Sequence, residues 1–380
     1  MIEPFTIRVP DEVLADLRQR LQRSRFPDQL EGAGWDYGTE LQTLRELCRY
    51  WRDDYDWRVA EQTLNAFDNF TTEVDGLRLH FIHQRSAEAD ALPLVITHGW
   101  PGSVYEFKKI IGPLTDPVAH GGHASGAFHG VCPSMPGYGF SDPPRSPGFD
   151  VRQVAQTVSA LMAQLGYQRY AAQGGDWGAL VTAWLGQLDA EHVCGIHMNM
   201  VVARPPRNDD PDRLTAEESE RAKRISTFMK QETGYQAIQG TKPQTLGYGL
   251  MDSPVGLAAW ILEKLRTWSD CGGNVERRFT KDELLTFITI YWVTGSITSS
   301  MRLYCESMRA GTFAPVSERI EVPTACALFP GEIVRPPRAW AEQHYNITHW
   351  TEMPRGGHFA AFEEPELLVE DIREFFRGLR

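Results

Sequence analysis

YAAQGGDWG, residues 170–178, runs a short apolar strand into a glycine-bracketed turn, and ALVTAWLGQL continues at once as a helix. A strand-to-helix turn this tight forces its central residue, Asp176, into a strained conformation; the flanking glycines remove side chains that would clash. The turn lies at the C-terminal edge of a sheet, and the amides that open the helix face any negative charge developing there. Asp176 is therefore a candidate nucleophile. An aspartate that merely caps a turn would look the same locally, so the surroundings have to decide.

The same alternation extends on both sides. LPLVIT (92–97) is short and wholly apolar, as a strand buried on both faces requires. It is followed by the loop HGWPG and the helical stretch VYEFKKIIGPL. FHGVCPS is a second strand, PGYGFSDPP a second Gly/Pro loop, and VRQVAQTVSALMAQLG a helix with Gly166 as its C-cap. Repeated strand, loop and helix predict a mostly parallel sheet. Upstream, FTTEVDGLRLHFIHQRS reads as two strands joined at Asp75-Gly76. Residues 11–67 instead space apolar positions such as Val13, Leu14, Leu17 and Leu21 as a helix does. Downstream the pattern breaks at ARPPRNDDPDR, turns helical, and returns to strand at VPTACALFP.

The expected architecture is an α/β-hydrolase fold: a helical N-terminal extension (1–68), a core in two parts (69–202 and 314–380) and a helical lid inserted between them (203–313). No internal repeat interrupts it.

Composition narrows the function. Hydrophobic residues make up 42% and charged residues 23%, an ordinary globular balance. With 38 basic and 50 acidic residues the formal charge is −12, which argues against nucleic acid or anionic lipid as a partner. Six cysteines lie far apart with no C-x-x-C pair, the usage of a reducing, cytoplasmic compartment. The opening MIEPFTIRVPDEVLADLRQRL holds no apolar leader, and no run approaches the length of a bilayer span. A soluble cytoplasmic protein without membrane association is expected.

Three further segments gather around Asp176. In α/β-hydrolases the loop after the strand LPLVIT donates one backbone N–H to an oxyanion hole, and the residue after the nucleophile donates another. Here those amides belong to Trp100 and Trp177, while His98 shapes the loop. Gly356-Gly357-His358-Phe359 follows the last core strand, and the chain order of nucleophile, acid and base requires a histidine there. Glu332, in FPGEIVRPP directly after a strand, is placed to orient His358. His120, His123 and His129 lie in a Gly/Ala/His stretch but have no carboxylate or cysteine at ligand spacing, so neither a metal nor a cofactor is expected.

With these pieces in place the chain resembles the microsomal-type epoxide hydrolases, in a soluble form that keeps the N-terminal extension and lacks the membrane anchor. The resemblance spans nearly the whole chain, through PFTIRVPDEVLADLRQRLQRSRFP, HGWPGSVYEF, PSMPGYGFSD, QGGDWG and GGHFAAFEEPE. Its most specific part is the lid segment TKPQTLGYGLMDSPVGLAAWI. It implies Asp176 as nucleophile, His358 as base and Glu332 as orienting acid. It also implies that two lid tyrosines, Tyr235 in GYQAIQ and Tyr304 in SSMRLYCES, open the epoxide ring. One departure is Cys305, where many relatives carry a larger residue.

The chemistry agrees. A serine would convert an epoxide to an ether that the same machinery could not hydrolyse, whereas aspartate forms an ester that activated water can cleave. Phenols, with an ordinary pKa of about 10, stay protonated and can hydrogen-bond the alkoxide. The expected product is a vicinal diol. Two alternatives remain: a haloalkane dehalogenase using the same Asp and His with Trp100 and Trp177 ring N–H groups on the halide, and a non-catalytic ligand-binding scaffold. The lid aromatics Tyr248, Trp260, Trp268 and Trp292 suit a bulky or aryl epoxide, although core packing accounts for them equally well. A homodimer stays open.

Overall fold

The computed structural model describes residues 1–205 and 214–380. The first part of the expected lid boundary, 206–213, lies outside them.

Nine strands form one sheet: β1 (Glu3–Pro4), β2 (Asn69–Val74), β3 (Leu77–Gln84), β4 (Leu92–Thr97), β5 (Phe128–Pro133), β6 (Tyr170–Gly174), β7 (Val193–Met198), β8 (Ile320–Leu328) and β9 (Tyr345–Glu352). Their order is β1-β2-β3-β5-β4-β6-β7-β8-β9. Pairs from β1 through β3 to β5 are antiparallel and all the rest are parallel, as the alternation of strand and helix predicted. β2 and β3 turn at Asp75 and Gly76, both at positive φ (50° and 77°), which is why a D-G pair stands there. VYEFKKIIGPL, expected as one helix, is a 3₁₀ turn, Val104–Lys109, followed by a short α-helix, Ile111–Thr115.

Three strands escaped the sequence reading, the two-residue β1 in the extension among them. β7 (VCGIHM) was hidden by its glycine, cysteine and histidine. β9 (YNITHWTE) is an edge strand whose residues are mostly half-buried and polar, so no strand period stands out there.

Between β7 and β8, among the described residues, six α-helices form the lid: Ala216–Gln231, Gly234–Thr241, Pro243–Asp252, Pro254–Trp268, Lys281–Thr294 and Ile297–Ala310. The N-terminal extension is helical over Asp11–Arg23, Leu41–Asp53 and Trp57–Asn65, and it also adds β1 to the sheet edge. It joins lid and core. The Thr39 hydroxyl donates to the Ala259 carbonyl at 2.7 Å, and the Tyr55 and Thr286 hydroxyls pair at 3.0 Å. On the core side, the Phe5 amide donates to the Asn69 carbonyl at the start of β2 at 2.8 Å. Leu17, Leu21, Leu44, Leu47, Trp51, Trp57 and Leu64 are all buried. At roughly 1.5–3 kcal/mol each, their burial is comparable with the whole stability of a domain. Deleting residues 1–65 is therefore expected to give insoluble protein; a soluble, fully active truncation on fractionation and assay would contradict this structural role.

Among the described residues no single helix is long and apolar enough to cross a membrane, and all six cysteines are free thiols.

Candidate active site

Asp176 sits between β6 and the helix Trp177–Leu188 with φ 51° and ψ −127°, one of two non-glycine residues at positive φ among the described residues. The glycines explain how the chain tolerates this. A Cβ on Gly174 would lie 2.2 Å from the Gly178 carbonyl oxygen, and one on Gly178 would lie 1.9 Å from the Thr97 carbonyl oxygen. Only bare backbone lets the elbow pack so close to the end of β4.

The loop after β4 reaches the carboxylate from the other side. The Trp100 amide donates to Asp176 Oδ1 at 2.7 Å, and a Cβ on Gly99 would lie 2.1 Å from the same oxygen. The amide of Trp177 makes no hydrogen bond to the carboxylate. His98 holds this loop, as expected: its Nε2 accepts the Met135 amide at 3.2 Å, and its Nδ1 faces the Gly99 carbonyl at 3.1 Å. Burial lowers its pKa to about 4, so it is neutral and uncharged at the site.

His358 and Glu332 come from neighbouring loops that are tied by their backbones, Gly331 N–H donating to Gly356 O at 2.9 Å. His358 Nδ1 lies 2.7 Å from Glu332 Oε1, and its Nε2 lies 3.4 Å from Asp176 Oδ2. Burial disfavours the imidazolium, but Glu332 and then Asp176 outweigh it and hold His358 above its ordinary value. The His358 amide donates to the Trp268 carbonyl at the end of a lid helix, so lid and base are registered to each other.

The lid supplies the opposite wall. A cavity of about 350 Å³ is lined by Asp176, Tyr235 and Tyr304, with Leu180, Phe228 and Phe313 among its apolar residues. Tyr235 stacks on Trp100 at 5.5 Å between ring centroids, and the Tyr304 ring meets Trp177 edge-on at 4.7 Å. Burial, reinforced by the Asp176 charge, raises both phenols above their ordinary pKa. The Gln236 side-chain amide donates to the Tyr235 oxygen at 2.9 Å, leaving that hydroxyl proton for another acceptor.

Aromatic residues singled out in the lid divide. Trp268 is buried 5.1 Å from the His358 ring, whereas Tyr248 is 71% exposed and lies away from the cavity. Cys305 does not line the cavity either.

The comparisons with known proteins follow this geometry. A model of the epoxide hydrolase N terminus matches residues 2–107, and one of the alpha/beta hydrolase fold matches residues 93–236. Epoxide hydrolase 1 of Sus scrofa is 42% identical over 402 residues, covering 98% of this chain and 88% of that protein. The chain belongs to the epoxide hydrolases. Two crystal structures agree: juvenile hormone epoxide hydrolase from the silkworm Bombyx mori and the epoxide hydrolase of Aspergillus niger. The silkworm structure has TM-score 0.92 at 34% identity, covering 100% of this chain and 95% of that one. The fungal structure has TM-score 0.89 at 32% identity, covering 100% and 97%. This epoxide hydrolase converts an epoxide and water to a diol.

Several neighbours of the expected residues carried little or no sequence signal. Gln236 on Tyr235 is one. Lys264 is another: it is buried with its ammonium 4.6 Å from the Tyr235 ring centroid. Glu106 is a third, a lone acid in VYEFKK that the fold turns back toward Asp176 and His358. Only its place four residues beyond the HGWPG loop hinted at it.

Proposed function

We propose that this epoxide hydrolase works through a covalent ester on Asp176. The supporting observation is the placement of the Asp176 carboxylate, with the Trp100 N–H on one oxygen, His358 on the other and two protonated phenols lining the same cavity. One carboxylate oxygen attacks an epoxide carbon, the ring C–O bond breaks, and the alkoxide takes a proton from Tyr235 or Tyr304. Water then attacks Cγ of the ester. His358 takes its proton, Glu332 holds the imidazole in the required tautomer, and the Trp100 amide stabilises the oxyanion. Trp177, as the residue after the nucleophile, is the second oxyanion donor, its amide engaging as charge develops. The bond from Cγ to the diol oxygen breaks, and the two protons of the water, one held on His358 and one left on the Asp176 carboxyl, go one to the phenolate and one to the diol oxygen.

The dehalogenase reading finds less support. It needs two indole N–H groups on one halide, yet Trp177 lines the substrate cavity and Trp100 does not.

The cavity size and apolar lining favour a bulky, apolar or aryl epoxide. A single turnover in ¹⁸O-water tests the mechanism with aryl and short alkyl epoxides side by side. The label is expected on Asp176 and not in the diol, because the diol takes its new oxygen from the carboxylate. Label in the first-turnover diol would exclude Asp176 as nucleophile. Faster turnover of the short alkyl substrates would exclude the preference for bulk.

A further inference from the structure

A second, much smaller chamber lies against Asp176. Its volume is about 20 Å³, room for one water, since a water needs at least about 10–15 Å³. Asp176 lines both spaces, but His358 lines only this one, together with Glu106, Gln173 and Asn199. The base thus faces the small chamber and the tyrosines face the large one. Resting on the covalent mechanism proposed above, we infer that this chamber holds the water of the second step and that the Glu106 carboxyl holds that water in line with Cγ of Asp176.

Glu106 reaches the chamber from the 3₁₀ turn Val104–Lys109 by folding its side chain back beneath the HGWPG loop. Its Oε1 lies 1.3 Å from where a Cβ on Gly102 would stand, so Gly102 leaves the space that the carboxyl fills. From the lid the Tyr291 hydroxyl donates to the Gly102 carbonyl at 2.8 Å and fixes the backbone at that point. Gln173 and Asn199 are already paired with each other at 2.8 Å. The Ser103 backbone N–H faces the Glu106 carboxyl from within its own turn and leaves the chamber side of that carboxyl to the water.

Its protonation suits the role. Burial pushes Glu106 up to about 8 against the opposing His358 charge, with the Asp176 charge adding to burial, so the carboxyl is neutral at neutral pH. A neutral carbonyl oxygen can accept one water hydrogen while His358 accepts the other, which turns a lone pair toward the ester. An ionised Glu106 would compete with His358 for the proton. In the step itself a bond forms between the water oxygen and Cγ, one proton passes to His358, the bond from Cγ to the diol oxygen breaks, and the diol oxygen and the phenolate take up the two water protons from His358 and the Asp176 carboxyl. Glu106 gains and loses nothing.

Three proteins, wild type, Glu106→Gln and Glu106→Met, separate this role from packing. Single turnovers of an aryl epoxide are quenched on the millisecond scale, and the ester is followed by intact mass. Glu106→Met fills the same space without the oxygen. It is expected to form ester at the wild-type rate and break it down about 10²-fold more slowly, the scale of a misplaced reactant. Glu106→Gln keeps the carbonyl and is expected to recover most of that loss. Where melting shows the Met variant unfolded, Glu106→Asp replaces it with the same expectation, since it withdraws the carboxyl by one methylene. Breakdown at the wild-type rate in the Met (or Asp) variant overturns the inference, and so does a folded Gln variant as slow as Met. Absence of ester in every protein, wild type included, is a different failure: it removes the covalent mechanism itself.

Discussion

His358→Gln, mixed with an aryl epoxide, is expected to keep the substrate as a stable adduct. Its intact mass should rise by the mass of the epoxide, with the addition mapping to the peptide that contains Asp176. In the proposed mechanism ring opening uses the carboxylate and the two phenols and needs no base, so the first step survives. Breakdown of the ester needs a base facing the second water, and losing one costs about 10²–10⁴-fold. The pH dependence follows from the same geometry. In the free protein burial opposes the imidazolium, but Glu332 and Asp176 hold the His358 pKa above its ordinary value. Esterification removes the Asp176 charge, and with it one of the raising contributions. The imidazole of the ester therefore titrates at lower pH and becomes neutral, able to accept a proton, just when a base is required. In the wild type, ester breakdown should rise with pH through an apparent pKa below that of His358 in the free protein, measured by NMR titration. Adduct that clears at the wild-type rate in His358→Gln would remove His358 as the base.

The second large effect belongs to the first step. In the double variant Tyr235→Phe with Tyr304→Phe, single-turnover ring opening is expected to fall by about 10²–10⁴-fold, the range typical for losing an acid catalyst. Substrate binding should change little, because the rings and the apolar cavity remain. Both phenols keep their protons at working pH, since burial and the nearby Asp176 charge raise them. Tyr235 is the better prepared of the two: Gln236 donates to its oxygen, which leaves the hydroxyl proton to point at the epoxide. Each single variant should therefore show a smaller loss than the pair. Unchanged ring opening in the double variant, with binding intact, would take both tyrosines out of the mechanism.

Much of the core of this site was legible because its constraints are local. The elbow at Asp176 needs glycine at Gly174 and Gly178 whatever the rest of the chain does, and the β2–β3 turn needs Asp75 and Gly76 at positive φ. The order of Asp176, Glu332 and His358 along the chain follows from strand, loop and helix punctuation, which a sequence carries openly. The resemblance to a family added Tyr235 and Tyr304, which no periodicity distinguishes from other lid aromatics. Tertiary structure alone decided the rest. β9 is an edge strand with few fully buried residues, so its period is weak, and the sheet order that puts it beside β8 depends on contacts between distant segments. Trp268 is buried against His358 while Tyr248 faces solvent, although both are aromatic residues on lid helices. Glu106 shows the reason most plainly. Whether a carboxyl is ionised depends on what surrounds it on every side, and here those surroundings come from Gly102, Asp176 and His358, whose positions only the folded chain brings together.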